Sequence, residues 1–308
     1  MVVTGSMKQP AEPPPRRRRR DIRERMESAR IQTWNLLEDP DLAIFTIVRT
    51  NGEPFAAFEA GQYTQLAFRD QSANDSRPRQ FSIASAPHQL DALEIYAILV
   101  RDSQGDGSNN EGVFTGTLWN HQPGDEILFM PRPAGRFVPS RTTQRDLVCV
   151  GTGTGIAPFV AMARSFWHEY KDSGKLPRRL TILHGVSHTS QLGYRSELEE
   201  LASDKGFGLL YVPVISRPGQ DPGYEDNMGR GRLNDACRLL CGESKVGRVD
   251  PFLPQQTFEA LRERLTVAES TAYLCGNPGM ISDVKDLLAG KGFNAEGRES
   301  QLITEDYW

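Results

Sequence analysis

Residues 146–158, "DLVCVGTGTGIAP", decide the fold. A short apolar run meets three glycines at alternate positions, Gly151, Gly153 and Gly155. It then enters "FVAMARSFWHEYKD" (159–172), whose apolar residues fall at helical spacing. A buried strand, a tight glycine turn and an amphipathic helix make one unit of an α/β layer. The same alternation continues downstream. "RLTILHGV" (179–186), "FGLLYVPVISR" (207–217) and "TAYLCG" (271–276) read as strands. "YRSELEELASDKG" (194–206), "PQQTFEALRERL" (254–265) and "PGMISDVKDLLAGKG" (278–292) read as helices. Apolar strands alternating with helices of ten or so residues predict a parallel sheet covered on both faces. Two polar segments, Gly219–Gly229 and Cys241–Pro254, read as surface insertions.

Upstream of Asp146 the pattern changes. "DLAIFTIVR" (41–49), "GQYTQLAFRD" (61–70), "RQFSIAS" (79–85), "LEIYAILV" (93–100) and "GDEILFMPRP" (124–133) are short, rich in β-branched and aromatic residues, and punctuated by turns. With no long helical pattern between them, they predict a small antiparallel barrel. Only "GVFTGTLWN" (112–120) reads as a short helix or loop. The expected organisation is an arm (1–28), a barrel (29–141) and an α/β domain (142–308).

At 308 residues the chain exceeds the usual size of a single core, which agrees with two domains. Its 36 basic and 40 acidic side chains give a net charge of -4, so no chain-wide signal points to nucleic acid. The balance is uneven. Residues 1–30 carry a net +5, and five consecutive arginines, Arg16–Arg20, follow a proline-rich stretch. Mutual repulsion keeps such a run solvated, and it stands either as a tail or as a docking surface for an acidic partner. Four cysteines without a CxxC pair are too few for a disulfide framework and give no clustered set for a bound iron–sulfur cluster; Cys237 and Cys241 could share a helix face at i,i+4, but a metal there would need further ligands, and none is expected. No apolar run reaches the roughly eighteen residues of a membrane span, and no secretory h-region follows the basic start. A cytoplasmic location follows as the expectation.

Individual motifs leave alternatives open. The Gly151–Gly155 turn is either a phosphate site at a helix start or simply a tight turn. Arg79, Phe81 and Ser82 offer a guanidinium fork, an aromatic face and a hydroxyl in one strand. They equally fit a surface ion pair, a core aromatic and a satisfied serine. Cys275, Gly276 and Asn277 end the last apolar strand, at the sheet edge where α/β folds bind ligands, though Cys275 also suits an inert buried position. The terminal "DYW" either docks into the core or covers a planar ligand.

Taken in order, "RQFSIAS", "EGVFTGTL", "VGTGTGIAPF", "VISR", "YLCGNPGM" and the "EDYW" end resemble the ferredoxin–NADP reductase family, in its bacterial branch. The resemblance runs from about Ile31 to Trp308 and implies a six-stranded FAD-binding barrel before an NADP-binding domain. It implies that Arg79, Gln80, Phe81 and Ser82 hold FAD, with Arg79 on the pyrophosphate and Ser82 near flavin N5. Phe81 stands where the family usually has Tyr, which keeps stacking and loses a hydroxyl. Val113, Phe114 and Thr115 would meet the FAD phosphates, and Trp308 the adenine. Gly153, Thr154, Gly276 and Asn277 would receive NADP(H), with Arg217 and Arg232 on its 2'-phosphate. Ser187 replaces an arginine common in relatives, so preference for NADPH over NADH is expected to be weaker. Ser82, Cys275 and Tyr307 would flank the path of hydride transfer. The implied activity is that of a ferredoxin–NADP(+) reductase, exchanging electrons with ferredoxin or flavodoxin as a monomer. The rival readings are a reductase of free flavin or another small acceptor, and a non-catalytic nucleotide-binding regulator.

Overall fold

A computed structural model describes residues 22–69, 77–103, 109–176 and 178–306. After a 3-10 turn at Ile22–Arg25 come β1 (Glu27–Leu36), β2 (Leu42–Arg49), β3 (Tyr63–Ala67), β4 (Arg79–Ser82) and β5 (Leu93–Ile98). A small hairpin, β6 (Arg101–Ser103) and β7 (Asn109–Glu111), leads to α1 (Val113–Trp119) and β8 (Glu126–Phe129). Strand β1 starts at Glu27, inside the segment read as an arm. The arginine run Arg16–Arg20 lies outside the described residues.

Strands β4-β3-β8-β1-β2-β5 form one six-stranded antiparallel sheet. It closes on itself where Ile83, just past β4, bridges Ile95 of β5. Closure removes the open edges that would otherwise invite strand addition. Inside lie Ile31, Phe45, Leu66, Ile83, Ile95 and Phe129, and α1 contributes Phe114 and Leu118 to the same core. Of the two readings of residues 112–120, short helix or loop, the structure shows the helix.

The second domain comprises β9 (Asp146–Thr152), α2 (Ala157–Ser173), β10 (Arg179–Val186), α3 (Arg195–Ser203), β11 (Leu210–Ile215), β12 (Gly229–Arg230), α4 (Leu233–Leu240), α5 (Gln255–Arg264), β13 (Ser270–Cys275), α6 (Pro278–Gly290) and β14 (Leu302–Glu305). All six strands run parallel in the order β12-β11-β10-β9-β13-β14. Alternate residues of β9 serve opposite cores. Leu147 and Cys149 pack with α2 and α3, whereas Val148 and Val150 pack with α4, α5 and α6. Double burial is why these strands read as unbroken apolar runs. Strand order reverses at β9, so the crevice between the ends of β9 and β13 is a topological switch point, the usual ligand position of such sheets.

The two domains share a core. Leu42, Ala84, Tyr96 and Phe137 of the barrel side belong to the same buried cluster as Phe159, Met162 and Tyr273 of the α/β side. Arg164 of α2 crosses this seam. It donates to Glu197 of α3 at 2.6 and 2.7 Å, to Glu94 of β5 at 2.7 Å and to the Ala84 carbonyl at 2.9 Å. Burial alone would lower its pKa, but the two carboxylates outweigh it and hold the guanidinium charged. No helix among the described residues is long and apolar enough to cross a membrane.

Candidate functional site

A cleft of about 580 Å³ opens between the domains, lined from both sides. On the barrel side, Arg79, Gln80, Phe81 and Ser82 of β4 all face it. Strict alternation would have sent Ser82 the other way; β4 is short and ends at the barrel rim, so its side chains share the opening. Phe81 leans on Phe114 at a centroid distance of 5.7 Å. Gln80 donates from Nε2 to the Tyr63 hydroxyl at 3.1 Å.

The start of α1 forms the next part of the wall, with Val113, Phe114 and Thr115 at the cleft. No side chain caps this helix at Gly112, and the first amide with an acceptor inside the helix belongs to Gly116, bonded to the Gly112 carbonyl at 2.7 Å. Among the described residues, the amides of Val113, Phe114 and Thr115 have no acceptor, as is typical of a helix start. The Thr115 hydroxyl accepts from the Val100 amide at 3.1 Å, which ties the helix start to the barrel.

The opposite wall is almost all backbone. Thr152 ends β9 and Gly153, Thr154 and Gly155 follow it, while Gly276 and Asn277 follow β13. The two turns interlock. Asn277 donates its amide to the Thr152 hydroxyl at 2.8 Å, while its side chain accepts the Met280 amide and caps α6. Gly276 has φ +117°, and a Cβ there would stand 2.7 Å from the Thr152 carbonyl oxygen. A Cβ on Gly155 would meet the Cys275 carbonyl oxygen at the same distance. Both positions therefore exclude any side chain. Gly153, at φ +54°, has nothing within 4 Å of where its Cβ would be, so the turn faces open cleft. No side chain caps the following 3-10 turn or α2, leaving the helix start available to an anion.

Beneath this turn lies His184, wholly buried on β10. Its Nε2 sits 3.2 Å from the Gly153 carbonyl and its Nδ1 3.3 Å from the Tyr211 hydroxyl. A carbonyl only accepts, so Nε2 carries the proton and Nδ1 accepts from tyrosine. Burial drives the His184 pKa down to about 4, against an opposing pull from the Gly153 hydrogen bond. The ring is a neutral prop for the glycine turn.

Other expected residues lie elsewhere. Cys275 is fully buried, in the shared core below the cleft floor, and burial pushes its thiol pKa far up. Arg217 and Arg232 are exposed at strand ends beside the cleft. Tyr307 and Trp308 lie outside the described residues; β14 ends at Glu305, whose register partner is Cys275. Sequence reasoning missed Tyr96, Gln191 and His184. Tyr96 donates to the Gln191 carbonyl at 3.2 Å, and Gln191 donates to Asp39 across the seam at 2.8 Å. A long-range pair of this kind has no local pattern to read; His184 alone had a cue, as a histidine inside an apolar strand.

The model of the oxidoreductase NAD-binding domain matches residues 149–286, the part of the chain that carries the glycine turn. The ferredoxin–NADP reductase of Azotobacter vinelandii is 26% identical over 260 residues, covering 81% of this chain and 85% of that protein, and so includes both domains. The chain is similar to ferredoxin–NADP reductases through both of its domains. The two-domain fold is matched by a Neisseria gonorrhoeae ferredoxin NADP+ reductase structure with bound FAD and NADP, at TM-score 0.70 and 24% identity, over 92% of this chain and 99% of that one. The flavohemoprotein of Bacillus subtilis is 24% identical over 86% of this chain, but the match spans only 56% of that longer protein. The chain has Phe81 in "RQFS", and its cleft fits a flavin dinucleotide: an arginine, an aromatic face and uncapped amides line one wall.

Proposed function

We propose that the protein is a ferredoxin–NADP(+) reductase, moving electrons between NADP(H) and ferredoxin or flavodoxin through FAD. The observation that carries this reading is the single cleft with two nucleotide-binding walls, one from each domain. Residues 29–141 bind FAD in this reading, and residues 142–308 bind NADP(H). FAD, when bound, supplies the exchange between two-electron chemistry with a nicotinamide and one-electron chemistry with a carrier.

The chain's own residues bind and orient. Arg79 and the amides of Val113, Phe114 and Thr115 hold the FAD phosphates, and Phe81 offers its face to the flavin. Ser82 fixes the polar edge of the ring from the end of β4. Gly153 and Thr154 present their turn to the pyrophosphate of NADP(H), propped from below by His184. Gly155 and Gly276 keep the floor at backbone level, so that planar groups from the two sides can meet. Tyr307 and Trp308, following β14, close over FAD. Positioning of this kind is the main source of rate when two bound partners react in contact. The arm at 1–28 steers an acidic carrier through Arg16–Arg20.

The test is spectroscopic. The purified protein shows a flavin band near 450 nm that bleaches anaerobically with NADPH and returns on addition of oxidised ferredoxin. A colourless protein that binds no added FAD rejects the reading. Bleaching that free flavin reverses and no carrier protein does would instead identify a small-acceptor reductase.

A further inference from the structure

Three strand ends come together beside the cleft. Val186 pairs with Ile215, and Ile215 pairs with Arg230, across β10, β11 and β12. Just beyond, the Arg217 amide donates to the Ser187 carbonyl at 3.1 Å and the Gly231 amide to the Ile215 carbonyl at 2.9 Å. Ser187, Arg217 and Arg232 thus leave neighbouring strand ends at one level. Ser187 brings no charge. Both arginines are exposed, and neither has an acidic partner among the described residues.

The insertion at 242–254 is pinned against this place. Asp235, fully buried in the first turn of α4, accepts the Val246 and Gly247 amides at 2.7 and 2.9 Å. Phe252 and Arg230 exchange backbone hydrogen bonds at 2.9 and 3.1 Å. A Cβ on Gly247 would lie 3.5 Å from Cδ of Arg232. Nearly every charge of the insertion is accounted for. Glu243 holds Lys291, Asp250 holds Lys245, and the Asp235 carboxylate is turned to backbone amides. Arg230 lies over the Phe252 ring at 5.1 Å and donates to the Asp250 carbonyl. What remains is Arg248, exposed, without an acidic partner among the described residues, and next in sequence to Gly247, where an added Cβ would come within 3.5 Å of Arg232 Cδ. Like charges held close are unfavourable unless an anion is shared between them.

We propose that Arg248 is a third cation, with Arg217 and Arg232, of a phosphomonoester site at these strand ends, and that its ligand is the 2'-phosphate of NADP(H). The proposal rests on the NADP(H) reading above and adds a residue from an insertion to it. Guanidinium forks suit a dianionic phosphate, and the Asp235 pin holds the loop in place before ligand arrives. The insertion supplies the charge that Ser187 does not.

Calorimetric titration of the FAD-loaded full chain with 2',5'-ADP, 5'-AMP and inorganic phosphate tests this. The unaltered protein prefers 2',5'-ADP to 5'-AMP. Arg248→Ala weakens 2',5'-ADP about tenfold, as expected for a charge-assisted contact, leaves 5'-AMP unchanged, and Arg248→Lys recovers part of the loss. Unchanged 2',5'-ADP affinity in Arg248→Ala, with a loss in Arg217→Ala, removes Arg248 from the site and leaves the NADP(H) reading standing. Equal affinity of the unaltered protein for the two nucleotides overturns that reading itself. Inorganic phosphate binding as tightly as 2',5'-ADP overturns the nucleotide assignment in favour of a free-phosphate site.

Discussion

The two walls of the cleft are built by opposite means. The barrel wall is lined by side chains: Arg79, Phe81 and Ser82 stand on one short strand, and only the start of α1 adds backbone donors. The α/β wall is lined largely by backbone: its turns are rich in glycine, and the Thr152 side chain is tied to the other turn. A side-chain wall fails when a side chain is removed. A backbone wall fails when one is added. The comparison therefore predicts which kind of substitution each half resists, provided the seam keeps the walls facing.

The seam gives the largest expected effect. Arg164→Met leaves Glu94 and Glu197 without their cation in a half-buried site, at a cost of about 3–5 kcal/mol. Chemical denaturation reads the loss, and calorimetry should show the two domains unfolding in separate steps. A single transition of unchanged midpoint would show that the apolar core alone joins the walls.

The prop under the backbone wall comes next. His184 has a pKa of about 4 folded against about 6.5 unfolded, so between those values the unfolded chain binds the extra proton. Its contribution is complete above about pH 6.5 and is lost as pH falls towards 4, by about 3 kcal/mol in total. Stability measured across that window should slope less steeply in His184→Gln. Equal slopes would mean that the ring is not held neutral.

The comparison itself is sharpest in a matched pair. Gly276→Ala forces a Cβ at φ +117° against Thr152 and should cost about 2 kcal/mol of stability. NADP(H) binding should weaken at least as much, about thirtyfold, with FAD retained. Phe81→Leu should do the reverse, weakening FAD by fluorescence titration and sparing NADP(H). Matching losses of both ligands in both variants would break the division of labour. The smallest effect belongs to the tail. Deleting Trp308 should weaken FAD by about 0.5–1.5 kcal/mol, the value of one aromatic contact. A lower melting temperature of the FAD-free protein with unchanged FAD affinity would place Trp308 in the core instead.

The contrast between the walls also explains what could be read from sequence. The switch of period at Asp146, the helix at 112–120 and the glycine turns are local, so the two-domain plan and both walls were legible from one stretch each. Seam residues were not. Arg164 sits in "FVAMARSFW" like any helix arginine, and its partners are 33 and 70 residues away. Tyr96 looked like one more aromatic in an apolar strand, and only tertiary packing brings it against Gln191. Cys275 ends its strand where a ligand edge is expected, yet its parity on β13 points it into the core with Tyr273. Barrel closure at Ile83 and Ile95 was equally silent, because a single bridge leaves no pattern.

The shared core has a kinetic consequence. Leu42, Tyr96 and Phe137 pack with α2 and β13 as the interior of one body, which leaves no hinge layer between the domains. The cleft is then a gauge of fixed gap. It admits what matches its thickness and cannot tighten on a better ligand, so discrimination falls to affinity at the rim and not to closure. Release of one nicotinamide before the next enters would be governed by the rim arginines and by whatever lies over the opening. In a protein of this kind, a charge change at the cleft mouth alters turnover by changing dwell time while the chemistry inside stays the same.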